Sequence, residues 1–136
     1  MAREYSEFWV HQQQIRDAVG RPGANEEDLT APVIDVFLRA VPHALRGVAA
    51  APASDLEITV TGPGGGTWIV QRGGSRWAIS KGPAAGTAGA RLAVSSDTLW
   101  RVATRGITVQ AACARAIIGG DQALGAAALG LVSIIR

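Results

Sequence analysis

Two short apolar runs, TWIVQR (Thr67–Arg72) and SRWAIS (Ser75–Ser80), flank the pair Gly73-Gly74. Nothing else in the chain restricts its fold as tightly. Paired glycines between such runs predict a tight hairpin, because the primed turns that match strand twist need positive φ. A two-residue loop there sets Val70 opposite Trp77 and Trp68 opposite Ile79, so one face of the ribbon becomes strongly apolar and needs a cover. Upstream, DLEITVTG alternates Leu56, Ile58 and Val60 with Glu57, Thr59 and Thr61, the period of a half-buried strand. After a loop from Gly82 to Gly89, ARLAVSS reads as a fourth strand.

Helices bracket these strands. From Arg3 to Val19, at about 100° per residue, Tyr5, Phe8, Ile15 and Val19 form one stripe. Glu4, Glu7, His11 and Ala18 adjoin it, while Trp9, Gln13, Arg16 and Asp17 face elsewhere. Gly20, Pro22 and Gly23 end the helix. Thr30 is a candidate cap and Pro32 a candidate start for a second helix, whose apolar face runs from Val33 to Val48, with a kink or break at Pro42. The stretch Ala49 to Ser54 separates helices from strands. Later caps are predicted at Ser96, Thr108 and Asp121, with Gly106 stopping the first of these helices and Gly119-Gly120 the second, which includes Ile117 and Ile118. The order predicts an α+β fold: a mostly antiparallel sheet of four to five strands with helices packed on one face, plus an N-terminal helix.

Composition narrows the functional classes. Of 13 basic residues 12 are arginines, scattered through the chain against 11 acidic ones, so no basic run points to nucleic acid. The apolar stretch from Leu124 to Ile135 is too short to span a bilayer. No charged-then-apolar leader is visible, and the single cysteine excludes an internal disulfide, so a cytoplasmic setting is expected. Cys113, among small apolar residues, reads as a buried inert thiol.

Candidate chemistry is sparse. Glu7-x-x-x-His11 puts a carboxylate and an imidazole one turn apart, as two ligands of a divalent ion require, and equally as an ordinary surface pair. The other histidine, His43, lies on the polar side of its helix. Arg101 and Arg105, one turn apart, are candidates to clamp a carboxylate, or are solvated surface arginines. Trp68, Trp77 and Trp100 line a pocket or build the core. The glycine clusters lack the continuation of a phosphate-binding loop and read as turns.

The stretches EYSEFWVHQQQIRDAVGRPG, TWIVQRGGSRWAIS, SDTLWRVATRGIT and GDQALGAAALGLVSIIR resemble the C-terminal part of mycothiol-dependent maleylpyruvate isomerase-like proteins of actinobacteria. That resemblance implies residues 1–22 as the last helix of a DinB-like metal-binding bundle and 29–136 as a sterol-carrier-protein-like domain. It matches Glu7 and His11 to two of the bundle's metal ligands, the third being a histidine on an earlier helix outside this sequence. It also implies an active-site arginine in the LWRVATRG stretch, leaving Arg101 and Arg105 both open.

With only a half-site present, no cofactor is expected on the isolated chain, and zinc and mycothiol enter only if another chain completes the site. The stripe on the first helix would have faced the bundle. It must fold back, pair with a second copy, or dock on a separately encoded bundle, and self-association is the expected solution. The functional expectation is a non-catalytic module that binds a small apolar or acidic ligand or a partner. The alternatives are a subunit of a metal- and thiol-dependent isomerase, and a fragment with no independent role.

Overall fold

The computed structural model describes residues 2–48, 50–51 and 53–131. Two residues of the helix-to-strand linker, Ala49 and Pro52, fall outside them, as do residues 132–136 of the apolar C-terminal stretch. The elements run α1 (Ala2–Val19), α2 (Glu27–Leu38), α3 (Val41–Ala44), β1 (Asp55–Thr61), β2 (Gly66–Gly73), β3 (Arg76–Lys81) and β4 (Ala90–Ser95). They continue with α4 (Ser96–Ala103), α5 (Val109–Arg115), β5 (Ile117–Gly120) and α6 (Gln122–Ala128). The expected α+β architecture is present, with a sheet in the order β3-β2-β1-β4-β5.

The hairpin forms, one residue later than the paired glycines suggest. Gly73 pairs with Arg76, so Val70 faces Ile79 and Trp68 faces Lys81 rather than Ile79. The turn is Gly74-Ser75, with Gly74 at φ +54°, and a type II′ turn demands glycine only at that first central position. The later turn moves each partner by two, so the apolar set stays on one face. It also brings cations over the two indoles: Lys81 Nζ lies 5.4 Å from the Trp68 ring centre and the Arg72 guanidinium 6.0 Å from that of Trp77.

β1 runs antiparallel to β2 but parallel to β4, with Leu56, Ile58 and Val60 in register with Ala90, Leu92 and Val94. These alternate residues are buried with Val70 and Trp68 beneath the helical layer, where Phe37, Leu38, Leu45, Leu99 and Leu129 complete the core. On the opposite face the β3–β4 loop crosses the sheet, and Glu57 accepts a hydrogen bond from the Ala84 amide at 2.9 Å. Ile117 and Ile118, read as the tail of a helix, instead begin β5, antiparallel to β4. Ala116 turns extended at ψ 165°, and a short apolar run between a helix end and two glycines suits either state until a neighbouring strand selects one.

The helix ends show where local signals suffice. Thr108 caps α5 through the Ala111 amide at 3.0 Å and Asp121 caps α6 through the Leu124 amide at 3.1 Å, both as expected. At α4 the cap is Ser95, one residue before the expected Ser96, accepting from the Thr98 amide at 3.1 Å. The second helix departs further: α2 starts at Glu27, so Thr30 and Pro32 lie inside it rather than at its start. A tertiary contact fixes that start, because the Glu27 carboxylate accepts from the Gly64 amide. Gly64 sits at φ +74°, and a Cβ there would come within 2.8 Å of the Ala31 nitrogen, so only glycine allows this approach. The chain breaks between α2 and α3 where Pro42 predicts it.

Candidate functional site

Helix α1 folds back on α2 and α4, but by the face that the hydrophobic pattern sets aside. Ser6, Trp9, Val10 and Gln13 are buried, while Phe8, Ile15 and Val19 are 71%, 64% and 60% exposed. The buried face is partly polar because its polar atoms have partners. Trp9 Nε1 donates to the Ala24 carbonyl at 2.8 Å and Gln13 Nε2 to the Gly23 carbonyl at 2.9 Å. The loop that ends the helix thus returns its own carbonyls to the helix face. The Trp9 ring meets Trp100 edge-on, centroids 5.5 Å apart and planes at 88°, a favourable aromatic geometry.

Arg101 closes this junction. Its Nη1 and Nη2 donate to the two carboxylate oxygens of Asp17 on α1 at 2.7 and 3.2 Å, and its Nε donates to Asp97 Oδ2 at 2.9 Å. The guanidinium also lies 4.5 Å from the Trp100 ring centre. The hydrogen bonds from Arg101 hold the Asp17 carboxyl below the usual range, and those same bonds push the guanidinium up. Arg101 is therefore engaged as a strut between α1 and α4 and is no free clamp for an outside carboxylate.

Beneath α1, where the loop after it meets the start of α4, lies a cavity of about 70 Å³ bordered by Trp9, Gln13, Asn25, Thr30, Pro63, Ser96, Asp97 and Trp100. Thr30 is 2% exposed, and its hydroxyl is buried without a hydrogen-bond partner. Such a group costs free energy unless something enters to satisfy it.

The other expected site residues do not converge here. Trp100 borders the cavity, but Trp68 and Trp77 are buried in the hairpin face, and Trp68 edges a separate hollow of about 110 Å³ with Asp35, Arg39 and Lys81. Arg105 does not continue the α4 spiral with Arg101. It takes the left-handed conformation at φ +61°, and its amide and that of Gly106 donate to the Val102 and Arg101 carbonyls at 3.1 and 2.7 Å. This Schellman closure turns the chain away, and Arg105 borders an open groove of about 330 Å³ with Val102, Ile107 and Val109. Cys113 is half-buried against the core rather than fully enclosed.

Glu7 and His11 lie on the outward side of α1, 51% and 49% exposed, with His11 Nε2 3.8 Å from Glu7 Oε1. The other ring nitrogen, Nδ1, lies 3.2 Å from the Gln14 side-chain oxygen. Among the described residues no group of three or more His, Cys, Asp or Glu side chains is placed to hold a metal ion. Two donors fall short of the three protein ligands that even a catalytic zinc site uses, so these residues alone do not fit the metal.

Sequence reasoning missed Trp9, Gln13, Thr30, Ser96 and Asp97 as cavity residues. One signal was available: a tryptophan one turn before a glutamine, on the helix face away from the apolar stripe.

No protein-family model matches the chain, and no curated protein sequence matches it. Among solved structures it is similar to the chain described as "UbiJ-SCP2 Ubiquinone synthesis protein", at 16% identity and a TM-score of 0.45, covering 75% of this chain and 92% of that one. It is also similar to apo sterol carrier protein 2 from Yarrowia lipolytica, at 16% identity and a TM-score of 0.48, covering 74% and 87% of the two chains. Among the described residues no helix is long and apolar enough to cross a membrane.

Proposed function

We propose that this chain is a non-catalytic module that binds a small ligand and a partner, with residues 29–136 as a sterol-carrier-protein-like domain and 1–22 as its docking helix. The observation that carries this reading is the division of α1. One face is anchored by Trp9, Gln13 and the Asp17–Arg101 pair, while the other holds Phe8, Ile15 and Val19 in water. A rigidly seated helix with an exposed apolar stripe is a docking element, and a second copy of the chain is the partner taken here. The sequence resemblance to the C-terminal domain of mycothiol-dependent maleylpyruvate isomerase supports the same reading.

Sedimentation equilibrium tests it. The wild-type chain is expected at twice the monomer mass, and the Phe8→Ser, Ile15→Ser variant at the monomer mass with unchanged circular dichroism. A monomeric wild type, or a variant that still dimerises, would overturn the choice of partner.

A second reading draws on Glu7 and His11 lying beside that stripe. In it the chain is a subunit of a metal- and thiol-dependent isomerase or transferase, and docking a second copy or a separately encoded bundle completes the ligand set. Zinc bound stoichiometrically by the associated form, and lost in His11→Ala, would select it over the first.

A further inference from the structure

We propose that Gln122 and Arg91 together guard the free edge of the sheet, and that the partner they exclude is the β5 strand of a second copy. This inference stands apart from the docking face of α1 and uses other residues.

β5 ends the sheet order, so one side of it pairs with β4 and the other meets no strand. The ladder itself shows which backbone groups face outward. The Asp121 amide donates to the Gly89 carbonyl at 3.0 Å, so Gly89, and with it Arg91 and Ala93, turn their backbone groups towards β5. Their register partners Gly119 and Ile117 form the hydrogen-bonded pairs, because an antiparallel ladder alternates bonded and non-bonded ones. Ile118, between them, opposes Leu92 and points its N–H and C=O away from the sheet. Outward groups of that kind are a template for another strand. Gly120, at φ +70°, leaves strand geometry, so the template is short and centred on Ile118.

The chain occupies half of that template itself. Gln122 Nε2 donates to the Ile118 carbonyl at 2.7 Å and lies 3.4 Å from that of Gly120. Two contacts fix its aim. Asp121 caps the first turn of α6 through the Leu124 amide. The Ile118 side chain seats against Gly125, where a Cβ would fall 2.5 Å from Cγ2, so a larger residue there would push α6 off β5. Arg91 is the second part of the guard. Its guanidinium lies over Gly119, where a Cβ would fall 2.9 Å from Nη2, and a charge held at a sheet edge opposes pairing with a like copy.

Symmetry identifies the excluded partner. An outward N–H and C=O on one residue are self-complementary about a two-fold axis, so Ile118 can exchange both bonds with Ile118 of a second copy. That register sets Ile117, 76% exposed, opposite Gly119 of the second copy, and brings two Arg91 guanidiniums onto one face.

The experiment uses the full-length chain carrying Phe8→Ser and Ile15→Ser, which silences the α1 face. Gln122→Met is added, which keeps the side-chain length and removes the donor. Sedimentation equilibrium is expected to show self-association about a hundredfold tighter, roughly tenfold for the hydrogen bond that each copy no longer has to break. The Ile118 amide is expected to exchange with solvent more slowly wherever the dimer forms. Arg91→Ala should tighten association further, and no added gain would strike Arg91 from the guard. Unchanged association in Gln122→Met would overturn the proposal, as would association that leaves the Ile118 amide exchanging as fast as before. If the Phe8→Ser, Ile15→Ser background itself dimerises, the docking reading falls, and slower Ile118 exchange on Gln122→Met decides this inference alone.

Discussion

The two faces of α1 invert the usual relation between hydrophobicity and burial. The outer face carries Phe8, Ile15 and Val19 and stays in water, while the inner face carries Ser6 and Gln13 beside Trp9 and Val10 and is buried. The lesson is that a polar face can be the packed one when nearby backbone supplies its partners and a large aromatic supplies the contact area. An apolar stripe then marks a surface with further use instead of the way into the core.

Four measurements would break or sharpen that contrast. The largest effect is expected from Trp9→Ala, which removes the edge-on contact to Trp100 and the hydrogen bond to Ala24. A loss of about 3–5 kcal/mol in urea unfolding fits a buried tryptophan, and a near-neutral result would show that α1 is not anchored. Gln13→Ala should cost about 1–2 kcal/mol, because it leaves the Gly23 carbonyl short of a donor in a largely enclosed place.

Asp17→Asn should cost about 1 kcal/mol or less, since the Asp17 side chain is 46% exposed and solvent screens the pair. The sign of its pH dependence follows from the lowered Asp17 pKa. The contribution is complete above the unfolded carboxylate range near pH 4 and disappears as acid passes through the depressed folded value. Wild type and Asp17→Asn should thus differ in urea midpoint at pH 7 and converge at low pH. The smallest change belongs to Phe8→Ser with Ile15→Ser, expected within about 0.5 kcal/mol for the monomer. A larger loss would mean that the outer face packs within its own chain.

Much of the fold was legible because its signals are local. Alternation located β1, the apolar runs on either side of the paired glycines located β2 and β3, a further short run after the glycine-bounded loop located β4, and side chains with one obvious backbone target, Thr108 and Asp121, marked their helix starts. The failures share a different cause. The start of α2 depends on Gly64, far along the chain, and β5 depends on β4 being there to pair with it. The exact turn depends on which of two adjacent glycines takes positive φ. The candidate site was less legible still. Arg101 was visible as a residue of interest, but its role is set by Asp17 on another helix. Thr30 looked like a cap because a hydroxyl near a proline is usually one, whereas burial inside α2 leaves that hydroxyl facing no partner.

The parallel pairing of β1 with β4 bears on how the chain reaches its shape. The β2–β3 ribbon can zip up from its own turn, yet the middle of the sheet stays open until Ala90–Ser95 has arrived and crossed back over it. Pairing between distant segments pays its loop-closure entropy before any reward, so the slow step of folding should be the arrival of β4. A nascent chain halted before that strand would hold a hairpin whose apolar side has nothing to rest against.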